Sequence, residues 1–313
     1  MSFAAMMLVA LAVDALIGWP ARLYARIGHP VTWLGRLISG LEQALNRPGT
    51  SPAGRRLRGG LTVALVLAAA IAPALALAAL LPAGWAGIVL GGVLAWPLVA
   101  ARSLYTHVAA VAQPLAAGDL EAARGAVAMI VGRDPSRLDG AGIARAALES
   151  LAENASDGIV APLFWGVAAG LPGIAAYKAI NTMDSMIGHR TPRYADFGMA
   201  AARLDDVANL IPARLTALVF AAVAPAPVAA VRTALRDARR HRSPNAGWPE
   251  AAMAGGLGVR LSGPRIYAEG VADEPFLNAG AADPDAASLA RGLALYIRAM
   301  IACGMLLVAL AAW

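Results

Sequence analysis

Several things that water-soluble folds rely on are scarce in this sequence. Its one cysteine, Cys303, lies in an apolar C-terminal run. That excludes a disulfide within the chain and a zinc site built on cysteines, and leaves a small buried hydrophobe as the expected role. The four histidines, at 29, 107, 189 and 241, show no paired spacing such as HExxH, so a histidine-built metal centre is not expected. Charged residues make up only 15% of the 313 residues and aromatics 6%. Lysine is scarcer still: Lys178 is the single lysine among 26 basic residues. There is no phosphate-binding P-loop, no GxGxxG after a strand and no internal repeat.

What is present is apolar bulk. Hydrophobic residues account for 59% of the chain and mean hydropathy is +0.60, too high for an ordinary soluble domain. The abundance of Ala, Leu, Val and Gly suits closely packed transmembrane helices. The sequence therefore predicts an all-α, polytopic integral membrane protein, read as one membrane-embedded domain over residues 1–313. It also predicts cytoplasmic amphipathic helices and re-entrant or broken helical segments. Runs 1–18, 61–81, 85–101 and 293–313 approach the roughly 20 residues that a helix needs to cross a bilayer. The first carries Asp14 and lacks the basic stretch and cleavage site of a signal peptide, so a retained span is expected. Arginines dominate 19–60, with only Glu42 opposing, and recur through 232–242. The positive-inside rule puts 19–60, 102–157 and 232–291 in the cytoplasm. The net charge of +6 has the same origin. No basic run interleaves with exposed aromatics, so nucleic acid is not an expected partner. Within 19–60, VTWLGRLISGLEQAL is amphipathic and expected at the membrane interface.

Two runs are doubtful spans. Residues 159–180 are broken by Pro162, Gly166, Gly170, Pro172 and Gly173, and 210–231 by Pro212, Arg214, Pro225 and Pro227. If 159–180 crossed, the acidic stretch 182–206 would face away from the arginine-rich segments. Broken helices are tolerated where they line a cavity, so a re-entrant or interfacial segment is expected.

The polar residues are concentrated from 147 to 218. Glu149, Glu153 and Asp157 recur every four residues, which on a helix would stack three carboxylates on one face. Asn181, Asp184 and Ser185 follow, then Asp205, Asp206 and Asn209. A lysine kept in so arginine-rich a chain suggests a task for a compact ammonium, such as touching a phosphate as a point charge. The glycine-rich GGLGVRLSGP at 255–264 has the composition of a phosphate-wrapping loop, a weak signal by itself.

Three of these stretches, ESLAENASDGIVAPLFW, YKAINTMDSMIGHR and ARLDDVANLIPARLTA, resemble signature blocks of the adenosylcobinamide-phosphate synthase family of cobalamin biosynthesis (the CbiB/CobD type). HPVTWLGRLI, VGRD and HRSPNAGWPEAAMAGGLGVRLSGPRIY agree, in the same order. The resemblance implies an ATP-dependent amide ligase that joins adenosylcobyric acid to (R)-1-amino-2-propanol phosphate. Its expected location is the inner (cytoplasmic) membrane, with the active site facing the cytoplasm. ATP is the expected co-substrate and Mg²⁺ the expected metal. Expected partners are the corrinoid and amino-alcohol phosphate substrates, other cobalamin-biosynthesis enzymes and membrane lipid, and a homo-oligomer is compatible with this reading. The chemistry of that reaction assigns Lys178, Glu153 and Asp157 to catalysis and Asp184, Asp205 and Asp206 to the metal. His29, Arg133, Asn154, Asn181, Ser185, Arg190, Arg203, Asn209, Arg214 and Asn245 are assigned to substrate binding. Two other classes fit the composition: a transporter of a corrinoid or other polar solute, and a non-catalytic scaffold for cobamide enzymes.

Overall fold

The computed structural model describes residues 2–132, 134–267, 270–272 and 274–313. In chain order the helices are α1 (Phe3–Ile17), α2 (Ala21–Ile27), α3 (Pro30–Leu45), α4 (Pro52–Leu80) and α5 (Trp85–Ala95). Next come α6 (Ala101–Ala116), α7 (Leu120–Ala128), α8 (Gly140–Ala155), α9 (Ala161–Ile187) and α10 (Met199–Ala208). The last four are α11 (Leu210–Val223), α12 (Pro227–Asp237), α13 (Gly247–Leu257) and α14 (Ala286–Ala312). Four short strands interrupt the helical pattern: β1 (Leu261–Ser262) pairs antiparallel with β4 (Phe276–Leu277), and β2 (Arg265–Tyr267) with β3 (Gly270–Ala272).

This is an all-α polytopic membrane protein. Helical runs Pro52–Leu80, Trp85–Ala116, Gly140–Ile187 and Ala286–Ala312 are long and apolar enough to cross a bilayer, and two bent pairs raise that number to six. Local chemistry moves several boundaries from where hydropathy put them. The Ser51 hydroxyl caps α4 by accepting from the Gly54 N–H, so Arg55, Arg56 and Arg58 form its first turns rather than a loop. Pro97 has no N–H to continue α5, which gives way to a 3₁₀ turn at Trp96–Leu98. The apolar run 210–231 divides into α11 and α12, separated at the prolines 225 and 227.

The chain contacts group into two compact units: residues 1–100, 161–209 and 307–313 form one, and 101–160 with 210–306 the other. In the first unit, α3 does not spend its apolar stripe on lipid. Ile38 is fully buried in a cluster with Val66, Met183, Ile187 and Phe197, and Leu34, Leu37, Leu41 and Leu45 pack around it. In the second, α12 and α13 pack closely. A Cβ at Gly255 would fall 2.5 Å from the Ala229 carbonyl, and one at Gly256 2.8 Å from the Ala224 methyl. These glycines of GGLG serve helix packing, which corrects the phosphate-loop expectation.

The decisive feature of the first unit is α9. Ala169 (φ −142°, ψ 19°) and Gly170 (φ 64°, ψ −148°) leave helical geometry, and the chain turns back on itself there. A Cβ on Gly173 would lie 2.2 Å from the carbonyl oxygen of Trp165, eight residues earlier. Ala161 and Tyr177 share a buried cluster with Ala208. The two arms, 161–168 and 171–187, therefore lie against each other as a helical hairpin. Although α9 is long enough to cross a bilayer in one pass, it folds back at Ala169–Gly170, with both arms on the same side of that apex. Gly170 occupies a backbone region essentially reserved for glycine, and the Phe3 ring lies 3.0 Å from where its Cβ would be.

Gly170→Ala is therefore expected to destabilise the detergent-solubilised protein by about 1–3 kcal/mol. Gly173→Val should do more harm, since its obstacle is backbone rather than a movable side chain. Thermal unfolding of both variants beside an Ala175→Val control checks this. Wild-type stability in Gly173→Val would contradict the paired arms.

Candidate active site

The second arm of α9 carries Tyr177, Lys178, Asn181, Asp184 and Ser185, and α10 packs against it within the same unit. Asp205 and Asn209 face this arm and are buried. The Tyr177 hydroxyl donates to Asn209 Oδ1 at 2.9 Å, and Asn209 Nδ2 donates to Asp205 Oδ2 at 3.0 Å. The other carboxylate oxygen, Asp205 Oδ1, is buried without a hydrogen-bond partner. Asn181 approaches the same carboxylate, and Asp184 and Asp206 are both within electrostatic reach of it. Arg190 acts on Asp206, His189 on Asp184, and Lys178 on His29. Asn181, Asp184, Arg190, Asp205, Asp206 and Asn209, all singled out in the sequence, are thus linked here, and Lys178 lies on the same arm within electrostatic reach of His29.

Their local chemistry refines what each can do. His29 caps α3, with its Nδ1 accepting from the Val31 N–H at 3.2 Å, which leaves the proton of the neutral ring on Nε2. The Ser185 hydroxyl is spent on the Asn181 carbonyl at 2.9 Å. Arg203 is exposed on α10. Asn209 is only 1% exposed and held at both ends of its amide, so it orients a carboxylate rather than meeting a substrate. No three His, Cys, Asp or Glu side chains among the described residues converge tightly enough to hold a metal alone. Mg²⁺ at phosphates usually takes one or two protein carboxylates, with waters and substrate oxygens completing its shell. The bare, buried Asp205 Oδ1 is a donor atom that fits such a cation.

Residues 188–198 after α9 are tied down from two sides. Arg193 makes paired bonds to Glu42 of α3 at 2.8 and 2.9 Å. Asn46 joins them through Glu42 Oε1 and the Arg193 carbonyl. Arg56 of α4 bonds Asp196 at 2.8 Å. Backbone contact is equally close: a Cβ on Gly198 would overlap the Ile187 carbonyl, and one on Gly188 would lie 1.9 Å from Asp184 Oδ1. Segment 182–206 is therefore in direct contact with the arginine-rich 19–60.

The remaining sequence candidates belong to the second unit. There the stack of three carboxylates fails. Glu149 is buried and accepts from the Ser262 N–H at 2.7 Å, which anchors β1. Glu153 is exposed on the same helix, and Asp157 sits in a π-helical turn, Ser156–Val160, that breaks the four-residue phase. Exposed Asn154 donates back to the Ser150 carbonyl at 2.9 Å. Arg214 and Asn245 do meet, at 3.3 Å, with the guanidinium 4.7 Å from the centre of the Trp248 ring and Arg239 within electrostatic reach. Close by in sequence, burial pushes the Asp237 carboxyl up in pKa. Hydrogen bonds from Arg236 and the Asn278 N–H, with the charges of Arg236 and Arg240, outweigh this and hold it below the usual range. Arg133 lies outside the described residues. Tyr177, Glu42, Arg193 and Gly188 were missed as contributors. Only the position of Tyr177, beside the single lysine and four residues before Asn181, could have signalled one of them.

Residues 7–296 match the family model described as CobD/Cbib protein. The chain is 66% identical to the cobalamin biosynthesis protein CobD of Rhodobacter capsulatus, over 98% of this chain and 96% of that protein. It is 52% identical to the CobD of Brucella suis, over 92% and 90% of the two chains. For the CobD of Sinorhizobium fredii the identity is 47%, over 94% and 92%. No solved structure matches the chain.

The double tether of 188–198 has a direct consequence. Arg193→Ala removes both bonds to the buried Glu42 carboxylate and should speed amide hydrogen exchange several-fold across 188–198, while α12 and α13 keep wild-type rates. Unchanged exchange in 188–198 would show that the ion pair does not hold the segment.

Proposed function

The chain belongs to the CobD/CbiB family of cobalamin-biosynthesis proteins, and we propose that it is the ATP-dependent ligase that makes adenosylcobinamide phosphate. The substrates are adenosylcobyric acid and (R)-1-amino-2-propanol phosphate, and the protein lies in the inner membrane with its site toward the cytoplasm. The observation that carries this reading is the placing of Lys178, Asn181 and Asp184 on one arm of α9, with Asp205 and Asp206 on the helix packed against it, in a chain of this family.

The reaction sets the inventory. A carboxylate resists amine attack until one of its oxygens becomes a leaving group. In the proposed sequence the corrinoid propionate oxygen attacks the γ-phosphorus of ATP, ADP leaves, and an acyl phosphate forms. The amine nitrogen then attacks the acyl carbon, inorganic phosphate leaves, and the amide is made. Catalysis of the first step is positioning and charge neutralisation. Lys178 offers a compact cation for the transferring phosphate. Asp205, with Asp184 and Asp206, would hold Mg²⁺, which would supply charge neutralisation at the phosphate oxygens. His29, Asn181 and Arg190 border the site, and Arg190 or Arg203 takes the amino-alcohol phosphate. The ammonium must also lose a proton before attack. The substrates must come from enzymes that make the corrinoid acid and the amine, and the product must go to one that builds the nucleotide loop.

Detergent-solubilised protein given both substrates and Mg-ATP should release ADP and form the amide. Folded protein that forms neither would remove this reading in favour of transport or scaffolding. Lys178→Arg keeps the charge but not the compact geometry. It should lower turnover about tenfold or more, equivalent to ~1.4 kcal/mol of barrier, with a smaller effect on the Michaelis constant for ATP. Full turnover in Lys178→Arg would reduce the lysine to a surface charge.

Orientation is checked separately. In a Cys303→Ala background, a cysteine at Ala195 should escape an impermeant thiol reagent in intact cells and react after lysis. Labelling from outside would move the 182–206 face out of the cytoplasm.

A further inference from the structure

We propose that Tyr177 and Asn209 are positioning residues that hold the Asp205 carboxylate in register for a divalent cation. This inference rests on the reading of the chain as a magnesium-dependent ligase. It starts from three side chains that water barely reaches: Tyr177 and Asn209 are each 1% exposed and Asp205 is 8% exposed. Their hydrogen bonds run in one direction, Tyr177 O–H to Asn209 Oδ1 at 2.9 Å and Asn209 Nδ2 to Asp205 Oδ2 at 3.0 Å.

The direction follows from charge. An ionised carboxylate only accepts, so Asn209 must turn its NH₂ toward Asp205. The amide oxygen must then face Tyr177, and the phenol must donate. The phenol therefore selects between two amide orientations that differ little in shape. In one of them Asp205 is supported. In the other, two oxygens oppose each other in a medium of low dielectric.

The far end of the relay is the unusual part. Asp205 Oδ1 is buried and has no hydrogen-bond partner, a state that folded proteins rarely leave unexplained. Asp184 and Asp206 also add negative charge within electrostatic reach. A divalent cation at Oδ1 satisfies the bare oxygen and relieves the mutual repulsion together. Partners that orient a ligand from behind typically change metal affinity by about 10–100-fold when removed. Tyr177→Phe deletes one oxygen and keeps the ring in the cluster it shares with Ala161 and Ala208.

The test uses the full chain in detergent and Mn²⁺ as the probe, in the presence of a non-hydrolysable ATP analogue that supplies the substrate oxygens, with protein-bound Mn²⁺ followed by its electron paramagnetic resonance signal. Wild type should bind Mn²⁺, Asp205→Asn should lose that binding, and Tyr177→Phe should weaken it roughly tenfold or more. The melting temperature of metal-free Tyr177→Phe should stay close to wild type. The double variant should bind no worse than Asp205→Asn alone, because the phenol acts through that carboxylate. Asn209→Ser carries the same expectation if Tyr177→Phe does not fold. Wild-type Mn²⁺ affinity in folded Tyr177→Phe, with binding lost in Asp205→Asn, would overturn the positioning role and leave the metal assignment intact. Equal behaviour of wild type and Asp205→Asn, including no binding by either, would instead remove Asp205 as a ligand, and the relay's proposed purpose with it.

Discussion

A polar site on a membrane-embedded chain must reach water without exposing unpaired backbone to lipid. Here the reversal at Ala169–Gly170 meets that constraint. A straight 27-residue helix would separate its two ends by about 40 Å at 1.5 Å per residue, wider than the hydrocarbon core of about 30 Å. The hairpin returns instead, so both arms lie on one side of their apex. Small residues make this possible: Gly173 lets the Trp165 backbone come near, and Gly166 does the same for Met7 of α1. Proline at 172 is harmless there, because it falls in the first turn of the second arm, where its missing N–H has no helical partner to lose. The polar cluster then lies beside the arginine-rich first turns of α4.

The ion pairs of this face do more than decorate a surface. An exposed Arg–Glu pair is worth little, but Glu42 is nearly buried while its partner Arg193 is exposed. A carboxylate in that position needs its partner, since an uncompensated buried charge is costly. The dependence fixes where 188–198 can lie and hence the entry of α10, which carries Asp205 and Asp206. Gly188 adds a second restraint by leaving room for the Asp184 carboxylate. The acidic residues are thus held by ion pairs that span 140 and 151 residues of sequence as well as by their own helices.

This explains what could be read from sequence and what could not. Composition and run length suffice for a polytopic α-helical protein, and clustered Gly and Pro in 159–180 suffice to doubt a simple crossing. The i, i+4 spacing of Tyr177, Asn181 and Ser185, and of Asp205 and Asn209, correctly places each set along one helical face. Spacing misleads at Asp157, because a single π-helical turn changes the phase and leaves no mark in a hydropathy pattern. It also says nothing of Glu149, whose neighbour Ser262 lies 113 residues away. Burial of an isolated acid by a later strand is a tertiary event. Asn209 looked like a substrate contact for the same reason: Asp205 lies one helical turn away and is legible, but the other partner, Tyr177 on α9, is not.

Counting charge around the hairpin gives the last constraint. Asp184, Asp205 and Asp206 bring three carboxylates, and the cations acting on them from nearby are Arg190 and whatever charge His189 carries. Lys178, on the same arm, is within reach of His29, a neutral or cationic group and not a counter-ion. The second arm of α9 thus carries the ammonium and one of the carboxylates, and α10, packed against it, carries the other two. Phosphate with a divalent cation needs both signs at once, and among the arginines of this chain the lysine is the one point charge that can supply its half without a planar fork.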